Sequence, residues 1–396
     1  YYDNVPYADL SDFFYVWLRR SLRGTFPDLL ATVAVPKSEE IVAFPHRHRE
    51  GRAGAEDFFL ESMRSAMLRL ATETHPAFPV CIFYAFKQSE TRSEAGPSST
   101  GWETFLDAVI RAGFSISGTW PMRTEGAGRI RAIGSNALAS SIVLVCRRRT
   151  SAAPAATRRQ FVASLQAELP KALQQLQLGN TAPVDLAQAA IGPGMAVFTG
   201  YGQVIDAKGN AVTVREALAL INQVLDETLA EQEGDFDADS RFAIAWFNQF
   251  GFGDGDYGTA ETLATARNAS VQGVVEAGIA ISARGKVRLL TPSELPSDWS
   301  PKTDRRLTHW DVVHHLIRVL ESDGEQAAAQ LMKELSGKAE SARELAYRLY
   351  TVCERKKRTA EALSYNGLVQ SWPEMLRLAQ LDDRASAAST PLFGED

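Results

Sequence analysis

The stretch PVCIFYAF, residues 79–86, is a near-continuous apolar run bounded by proline and by polar residues. It is too short for a typical helix, and it is rich in residues that favour strands. Such a run predicts a strand that is buried on both faces of a parallel sheet, because strands covered on both sides lack the apolar-polar alternation of half-exposed ones.

The residues that follow extend this strand into a sheet. Trp102 to Ala112 has helical periodicity and stops at Gly113, and FSISGTW at 114–120 reads as the next strand. Together they predict a βαβ unit. ASSIVLVCR at 139–147 is a further apolar strand, and since no helix precedes it, we expect it to run antiparallel to its predecessor.

Two helices are predicted before the first strand. ADLSDFFYVWLRRSL at 8–22 has Asp9 or Ser11 as its N-cap, and the spacing of Phe13, Phe14 and Trp17 predicts a buried aromatic face. A second helix is predicted over roughly 56–74. The pattern of elements assigns residues 1–150 to an α/β domain.

From Thr150 onwards the composition shifts to Ala, Gln and Leu, and helical periodicity dominates. Short helices at 241–250, 259–267 and 270–277 precede a hairpin at 280–290, which is the winged-helix order. IGPGMAVFTGYG at 191–202 is interpreted as a turn and a short strand, and FGFGDGDYG at 250–258 as a helix end and a turn. The predicted regions are a helical connector at 151–236, a candidate winged-helix module at 237–300, a helical C-terminal region at 301–382 and a flexible tail at 383–396.

Composition limits the functional classes. The chain has 396 residues, of which 45% are apolar and 23% charged, so disorder is excluded as its main state. Forty-two Lys and Arg against 48 Asp and Glu give a net charge of −6, so any contact with nucleic acid must use local patches. Three scattered cysteines argue against a zinc ribbon or a disulfide framework and fit a reducing cytoplasm, and neither a signal peptide nor a membrane-spanning run is apparent.

The opening YYDNVPYADLSDFFYVWLRR, residues 1–20, resembles the sequence that follows the Asp/Asn-Pro-Pro-Tyr motif of amino-group DNA methyltransferases. It is most similar to large adenine-specific DNA methylases. The similarity extends over most of the chain through five further segments: GSNALASSIVLVCR at 134–147, IGPGMAVFTGYG at 191–202, VREALALINQVLDE at 214–227, FGFGDGDYG at 250–258 and ELAYRLYTVCERK at 344–356.

The resemblance implies an enzyme that transfers a methyl group from S-adenosylmethionine to the exocyclic amine of adenine in DNA. Residues 1–150 would be the second half of a Rossmann-like methyltransferase sheet, incomplete alone, with the Asp/Asn-Pro-Pro and the glycine-rich cofactor turn expected before Tyr1. Tyr1 would stack on the extruded base, and Tyr2, Asp3 and Asn4 would line the same loop. DNA is the implied partner, together with other components of a modification or defence system; no cofactor-binding residue and no metal ligand is assigned within this chain.

A loop rich in glycine and arginine lies between the last two predicted strands. Its nucleic-acid-binding candidates are Arg123, Arg129, Arg131 and Asn136, because guanidinium groups at a strand end suit phosphate or base-edge contacts. A solvated loop is the alternative. His309, His314 and His315 are interpreted as core or surface histidines rather than metal ligands.

Two other functional classes remain open. A tRNA or rRNA methyltransferase would use the same motif loop, and a non-catalytic module would bind nucleic acid or a partner through the helical region. The basic residues near the predicted hairpin, Arg267, Arg284, Lys286 and Arg288, suit phosphate contact, whereas the helix before it has one acid and no base.

Overall fold

The protein is described by a computed structural model for residues 5–84, 92–93, 96–97, 100–123, 140–149 and 152–388. The chain is of the α/β class, with many helices and small sheets. Within the part that is described, no helix has both the length and the apolar character needed to cross a membrane.

The elements below are numbered in chain order. The helices are α1 (Tyr7–Leu22), α2 (Gly51–Glu73), α3 (Thr100–Arg111), α4 (Arg158–Leu178), α5 (Pro183–Gly200), α6 (Val214–Glu231), α7 (Ala238–Phe250), α8 (Tyr257–Ala266), α9 (Val271–Glu276), α10 (His309–Leu335), α11 (Lys338–Lys356) and α12 (Thr359–Ala388). The strands are β1 (Val80–Tyr84), β2 (Arg92–Ser93), β3 (Gly96–Pro97), β4 (Phe114–Arg123), β5 (Ser140–Arg148), β6 (Ala155–Thr157), β7 (Gln203–Ile205), β8 (Gly255–Asp256), β9 (Ala280–Ala283) and β10 (Lys286–Leu289).

The chain divides into two compact units. Unit 1 is built from the chain up to Met122, from Ser140–Leu165 and from Ile191–Asn222. Unit 2 is built mainly from Gln166–Ala190 and from the chain from Gln223 onwards. The division falls within α4, α5 and α6, so sequence order alone does not define the units.

A three-stranded sheet with the order β1-β5-β4 lies in unit 1. β5 runs antiparallel to β1, with Val80 opposite Cys146 and Tyr84 opposite Ile142. It also runs antiparallel to β4, because Ser115 and Ser117 donate to the carbonyl oxygens of Arg147 and Val145 at 3.1 and 3.0 Å. β1 and β4 are therefore parallel, joined through α3, with β5 reversed between them. The antiparallel direction predicted for β5 is confirmed.

β1 differs from its prediction. Among the described strands it pairs with antiparallel β5, and its residues alternate between half-buried and exposed, with Phe83 exposed over 66% of its surface. The prediction of a strand buried on both faces was therefore wrong. A continuous apolar run does not by itself reveal whether a second layer covers the sheet.

α1 also differs from its prediction. It begins at Tyr7 after Pro6, not at Asp9 or Ser11. Its aromatic face, predicted to be buried, is exposed: 69% for Phe13, 64% for Phe14 and 60% for Trp17. The opposite side of α1 packs on the segment that follows the helix. There the hydroxyl of the buried Tyr15 lies 2.8 Å from Thr32 Oγ1, and Asp12 forms an ion pair with Lys37. Apolar spacing thus identified the helix but not its covered face.

The glycine-rich segment 191–202 is a helix for most of its length, so the predicted turn and short strand were wrong. α5 continues through Pro193 to Gly200. A side chain at Gly192 would overlap that of Thr119 in β4, and one at Gly194 would come within 2.6 Å of Ile221. These glycines therefore permit close packing. Thr199 Oγ1 accepts a hydrogen bond from the Ile116 backbone N–H at 2.9 Å, which attaches the helix to β4.

Unit 2 contains the predicted helices near 241–250, 259–267 and 270–277, and the predicted hairpin, as α7, α8, α9 and β9-β10. Arg284 and Gly285 have φ angles of 53° and 72°, as a two-residue hairpin turn requires. β8 pairs with β10, which gives the sheet order β8-β10-β9. α7 ends at Phe250, where Gly251 has φ of 64° and its N–H bonds Phe247 O, so the predicted helix end is confirmed.

The core of unit 2 is built from large aromatic side chains. Trp246, Trp310, Trp372, Tyr347 and Tyr365 are each less than 2% exposed. α10, α11 and α12 pack on one another around this core. α10 contains a kink at Gly324, whose φ of 83° is non-helical.

Candidate functional site

The structure does not describe the side chains of the residues predicted to contact the base, which rest on the resemblance, or of those predicted to contact nucleic acid, which rest on the arginine-rich loop. Arg123 ends β4, but its side chain is not described, and the others lie outside the described residues. Those others are Tyr1, Tyr2, Asp3, Asn4, Arg129, Arg131 and Asn136. Their roles stay predictions.

An aromatic cluster marks the carboxyl end of β1. The Tyr84 ring, on the last residue of the strand, stacks on Phe105 with 4.4 Å between ring centroids and lies 5.1 Å from Trp102. Trp102 and Phe105 belong to α3 and are each 2% exposed. In open α/β sheets, ligands bind outside the carboxyl ends of the strands. That general rule would place a ligand beyond this end of β1, beside the packed rings of the cluster.

A groove of about 440 Å³, lined by both apolar and charged residues, lies in unit 1 beside α3. Arg149, directly after β5, donates from Nη2 to Ile110 O at 2.8 Å, and burial lowers the pKa of its guanidinium. Arg215 pairs with the buried Glu103 at 2.7 Å, and Arg111 pairs with Asp107 at 2.7 Å. The Arg149 N–H also bonds Gly113 O, at the start of β4, so the groove lies at the opposite end of the sheet from Tyr84.

Arg149 illustrates what sequence reasoning missed. Arg147, Arg148 and Arg149 are consecutive residues at and directly after the end of β5, and arginine side chains mostly lie in solvent. The first two are exposed, but Arg149 is half-buried and donates to backbone carbonyls of two other segments. Its neighbours come from distant parts of the chain, so no local signal distinguished it.

Asp237 accepts several hydrogen bonds within unit 2. As the N-cap of α7 it accepts hydrogen bonds from the Ser240 N–H at 2.8 Å and the Ser240 hydroxyl at 2.7 Å. It also accepts from the His309 N–H at 2.9 Å, and His309 Nδ1 lies 2.7 Å away. Burial opposes ionisation of the carboxyl, but the hydrogen bonds from His309 and Ser240 outweigh it and hold the pKa of Asp237 well below its usual range. The group joins the first turns of α7 and α10.

The two following histidines of α10 are core residues, which is one of the two placements predicted for them. His314 is fully buried, its Nδ1 lies 2.8 Å from Trp310 O, and its Nε2 lies 2.9 Å from the Tyr365 hydroxyl. A carbonyl can only accept, so Nδ1 carries the proton and Nε2 accepts from Tyr365. His315 stacks on Trp299 with 3.8 Å between centroids. Burial lowers the pKa of His314 to about 4 and that of His315 to about 3.

Two of the basic residues near the β9-β10 hairpin are compensated by acids. Arg288 forms a bidentate pair with Glu294, at 2.8 and 2.6 Å, and this pairing lowers the pKa of Glu294 to about 2. Lys286 pairs with Asp256 at 3.0 Å. Within the part of the chain that is described, no group of three or more His, Cys, Asp or Glu side chains could hold a metal ion.

Comparison with known proteins adds one finding. Residues 237–391 match the model of a domain of unknown function, DUF8807. This range begins at Asp237, the N-cap of α7, and includes α8 to α12. No curated protein matches the chain, and no solved structure matches it.

Proposed function

We propose that this chain is the C-terminal part of an S-adenosylmethionine-dependent DNA methyltransferase that acts on the exocyclic amine of adenine. The observation that carries the proposal is the sheet of unit 1. Parallel β1 and β4 are joined through α3, with β5 reversed between them, and this is what the second half of a Rossmann-like sheet with a strand, helix, strand, strand ending requires. The family resemblance of the sequence supplies the reaction.

The aromatic cluster at Tyr84 supports the proposed position of the site. Tyr1 would stack on the target base beside this strand end, and Tyr2, Asp3 and Asn4 would line the pocket. Arg123, Arg129, Arg131 and Asn136 would contact DNA. No residue of this chain is assigned to the methyl donor.

We further propose that residues 237–300 form a winged-helix module. Three helices, a hairpin and a strand β8 paired to β10 support this arrangement. Because α9 contains an acid and no base, and because Lys286 and Arg288 are paired with carboxylates, the module is better suited to packing or partner contact than to reading a major groove.

The test uses the complete gene product with radiolabelled S-adenosylmethionine and with DNA and RNA as separate substrates. Label in adenine of DNA is the expected result, and label that enters only RNA would instead support the tRNA or rRNA methyltransferase. Tyr1→Ala should reduce turnover far more than donor binding, because stacking acts on the base. Tyr257→Ala, at a 41% exposed position of unit 2, is the control and should change neither. Equal loss of turnover and donor binding in Tyr1→Ala would contradict the stacking role.

A second candidate, a non-catalytic partner-binding module, is favoured by α1. Phe13, Phe14 and Trp17 expose 60% or more of their surfaces, and contiguous exposed aromatic residues mark protein interaction sites. A photo-crosslinking residue at position 17 of the complete gene product would distinguish the candidates. Crosslinks within the same polypeptide support the methyltransferase, and crosslinks to a different polypeptide support the binding module.

A further inference from the structure

A cavity in unit 2 has a predominantly positive wall. Its volume is about 500 Å³, and its charged lining residues are Glu233, Arg267, Arg348 and Lys356. The lining thus contains three cationic side chains and one carboxylate. Cavities of this size hold small organic ligands, and a net positive lining selects anions among them.

Arg348 is the most deeply placed of these cations. It belongs to α11, is 8% exposed and binds Glu233 Oε1 through Nε and Nη2 at 2.6 Å. Its Nη1 is buried and has no hydrogen-bond partner among the described residues. A guanidinium has donors along more than one edge. Glu233 occupies one edge, and the donor on Nη1 is left for an oxygen atom from outside the protein.

The other two cations come from different helices. Arg267 follows the last turn of α8, and Lys356 is the last residue of α11. Neither forms an ion pair with a carboxylate within the described ranges, unlike Arg348. Asn248 and Gln249, exposed at the end of α7, add amide donors, and Ile244 and Leu263 add apolar surface.

We propose that this cavity binds a phosphate ester. A phosphate group presents several strong acceptor oxygens and up to two negative charges, which match the Arg348 Nη1 donor and the unpaired charges of Arg267 and Lys356 better than a single carboxylate does. The cavity is larger than a phosphate ion, and Ile244 and Leu263 would contact the organic part of the ester. The site consists of unit 2 residues alone and does not depend on the methyl-transfer proposal.

The test measures binding of inorganic phosphate and glycerol phosphate to the full chain by calorimetry, and binding of a short labelled DNA duplex by anisotropy. Lys356→Gln and Arg267→Gln should each weaken the affinity for glycerol phosphate by about threefold to about tenfold. Arg355→Gln is the matched control, since it makes the same charge change one residue away on α11, outside the cavity lining, and should leave the affinity unchanged. Arg348→Lys keeps the charge but loses the planar guanidinium, and it should also weaken binding.

The two substrates distinguish the sources of the phosphate. A loss of glycerol phosphate binding without a change in duplex binding identifies a small ester as the ligand. Parallel losses for both, with phosphate competing against the duplex, identify a nucleic-acid backbone. Unchanged phosphate affinity in Lys356→Gln and Arg267→Gln, or an equal loss in Arg355→Gln, would overturn the proposal. Circular dichroism of each variant verifies that the fold is retained.

Discussion

Replacement of Tyr365 by Phe tests the buried polar contact at the centre of unit 2. The Tyr365 hydroxyl donates to His314 Nε2 at 2.9 Å, and both side chains are at most 1% exposed. Tyr365→Phe leaves Nε2 as a buried acceptor without a donor. An unsatisfied buried polar group costs about 1–3 kcal/mol, so we expect the free energy of unfolding near neutral pH to fall by that amount.

The effect should depend on pH. His314 is neutral in the folded protein, with its pKa lowered by burial from 6.5 to about 4. The unfolded chain therefore takes up a proton first, and stability is lost as the pH falls through this window, by about 3 kcal/mol at 1.36 kcal/mol per pH unit. The Tyr365 donor favours neutral His314. Without it the folded-state pKa rises, so the variant should lose less stability on acidification, and its deficit should shrink toward about pH 5.

Urea unfolding at several pH values, followed by tryptophan fluorescence, measures the stability difference between the variant and the wild type. Trp310 reports on the site because its ring centroid lies 4.2 Å from that of His314. Tyr257→Phe, at a 41% exposed position, is the control and should change stability by less than about 0.5 kcal/mol. A deficit for Tyr365→Phe as small as that of the control, or one that is constant across pH, would refute the assigned hydrogen bond and proton position.

Three further substitutions test other parts of the molecule. Gly192→Ala should destabilise unit 1 by about 1–3 kcal/mol because its methyl group would overlap Thr119, whereas Gly200→Ala, with nothing within 4 Å of the added atom, should be neutral or stabilising; equal melting temperatures would contradict the packing. Burial raises the pKa of the Asp311 carboxyl from 3.8 to about 8, so the wild-type protein loses stability as the pH rises through that window. Asp311→Asn should therefore make the free energy of unfolding depend less on pH between 3.8 and about 8. Urea midpoints across this range measure that dependence, and the same dependence in the variant and the wild type would contradict the prediction. Trp17→Ser should reduce binding of a hydrophobic dye and keep the free energy of unfolding within about 0.5 kcal/mol; a large loss of stability would mean that the ring is buried.

Much of the candidate site was beyond prediction from the sequence. The cavity around Arg348 is lined by residues of α6, α7, α8 and α11 and of the turn after α6. Some of these residues are more than a hundred positions apart in the sequence, and no spacing rule connects them. The histidines of α10 were predicted to be core or surface residues of an amphipathic helix, and the partner of His314 on α12 was not predicted. Glycines at 192 and 194 predicted a turn because glycine favours turns locally, and tertiary packing uses the same lack of a side chain for close contact.

Local patterns were sufficient for α7, α8 and α9, for the β9-β10 hairpin, and for the reversal of β5 after β4. Periodicity, glycine positions and connection lengths act within a few residues, so they can be read directly from the chain. The exposure of Trp17, the pairing of β1 with β5 and the ion pair between Arg348 and Glu233 were decided only by the folded structure. Burial and charge pairing depend on which distant segments come together, and apolar spacing is the same whether or not a partner covers it.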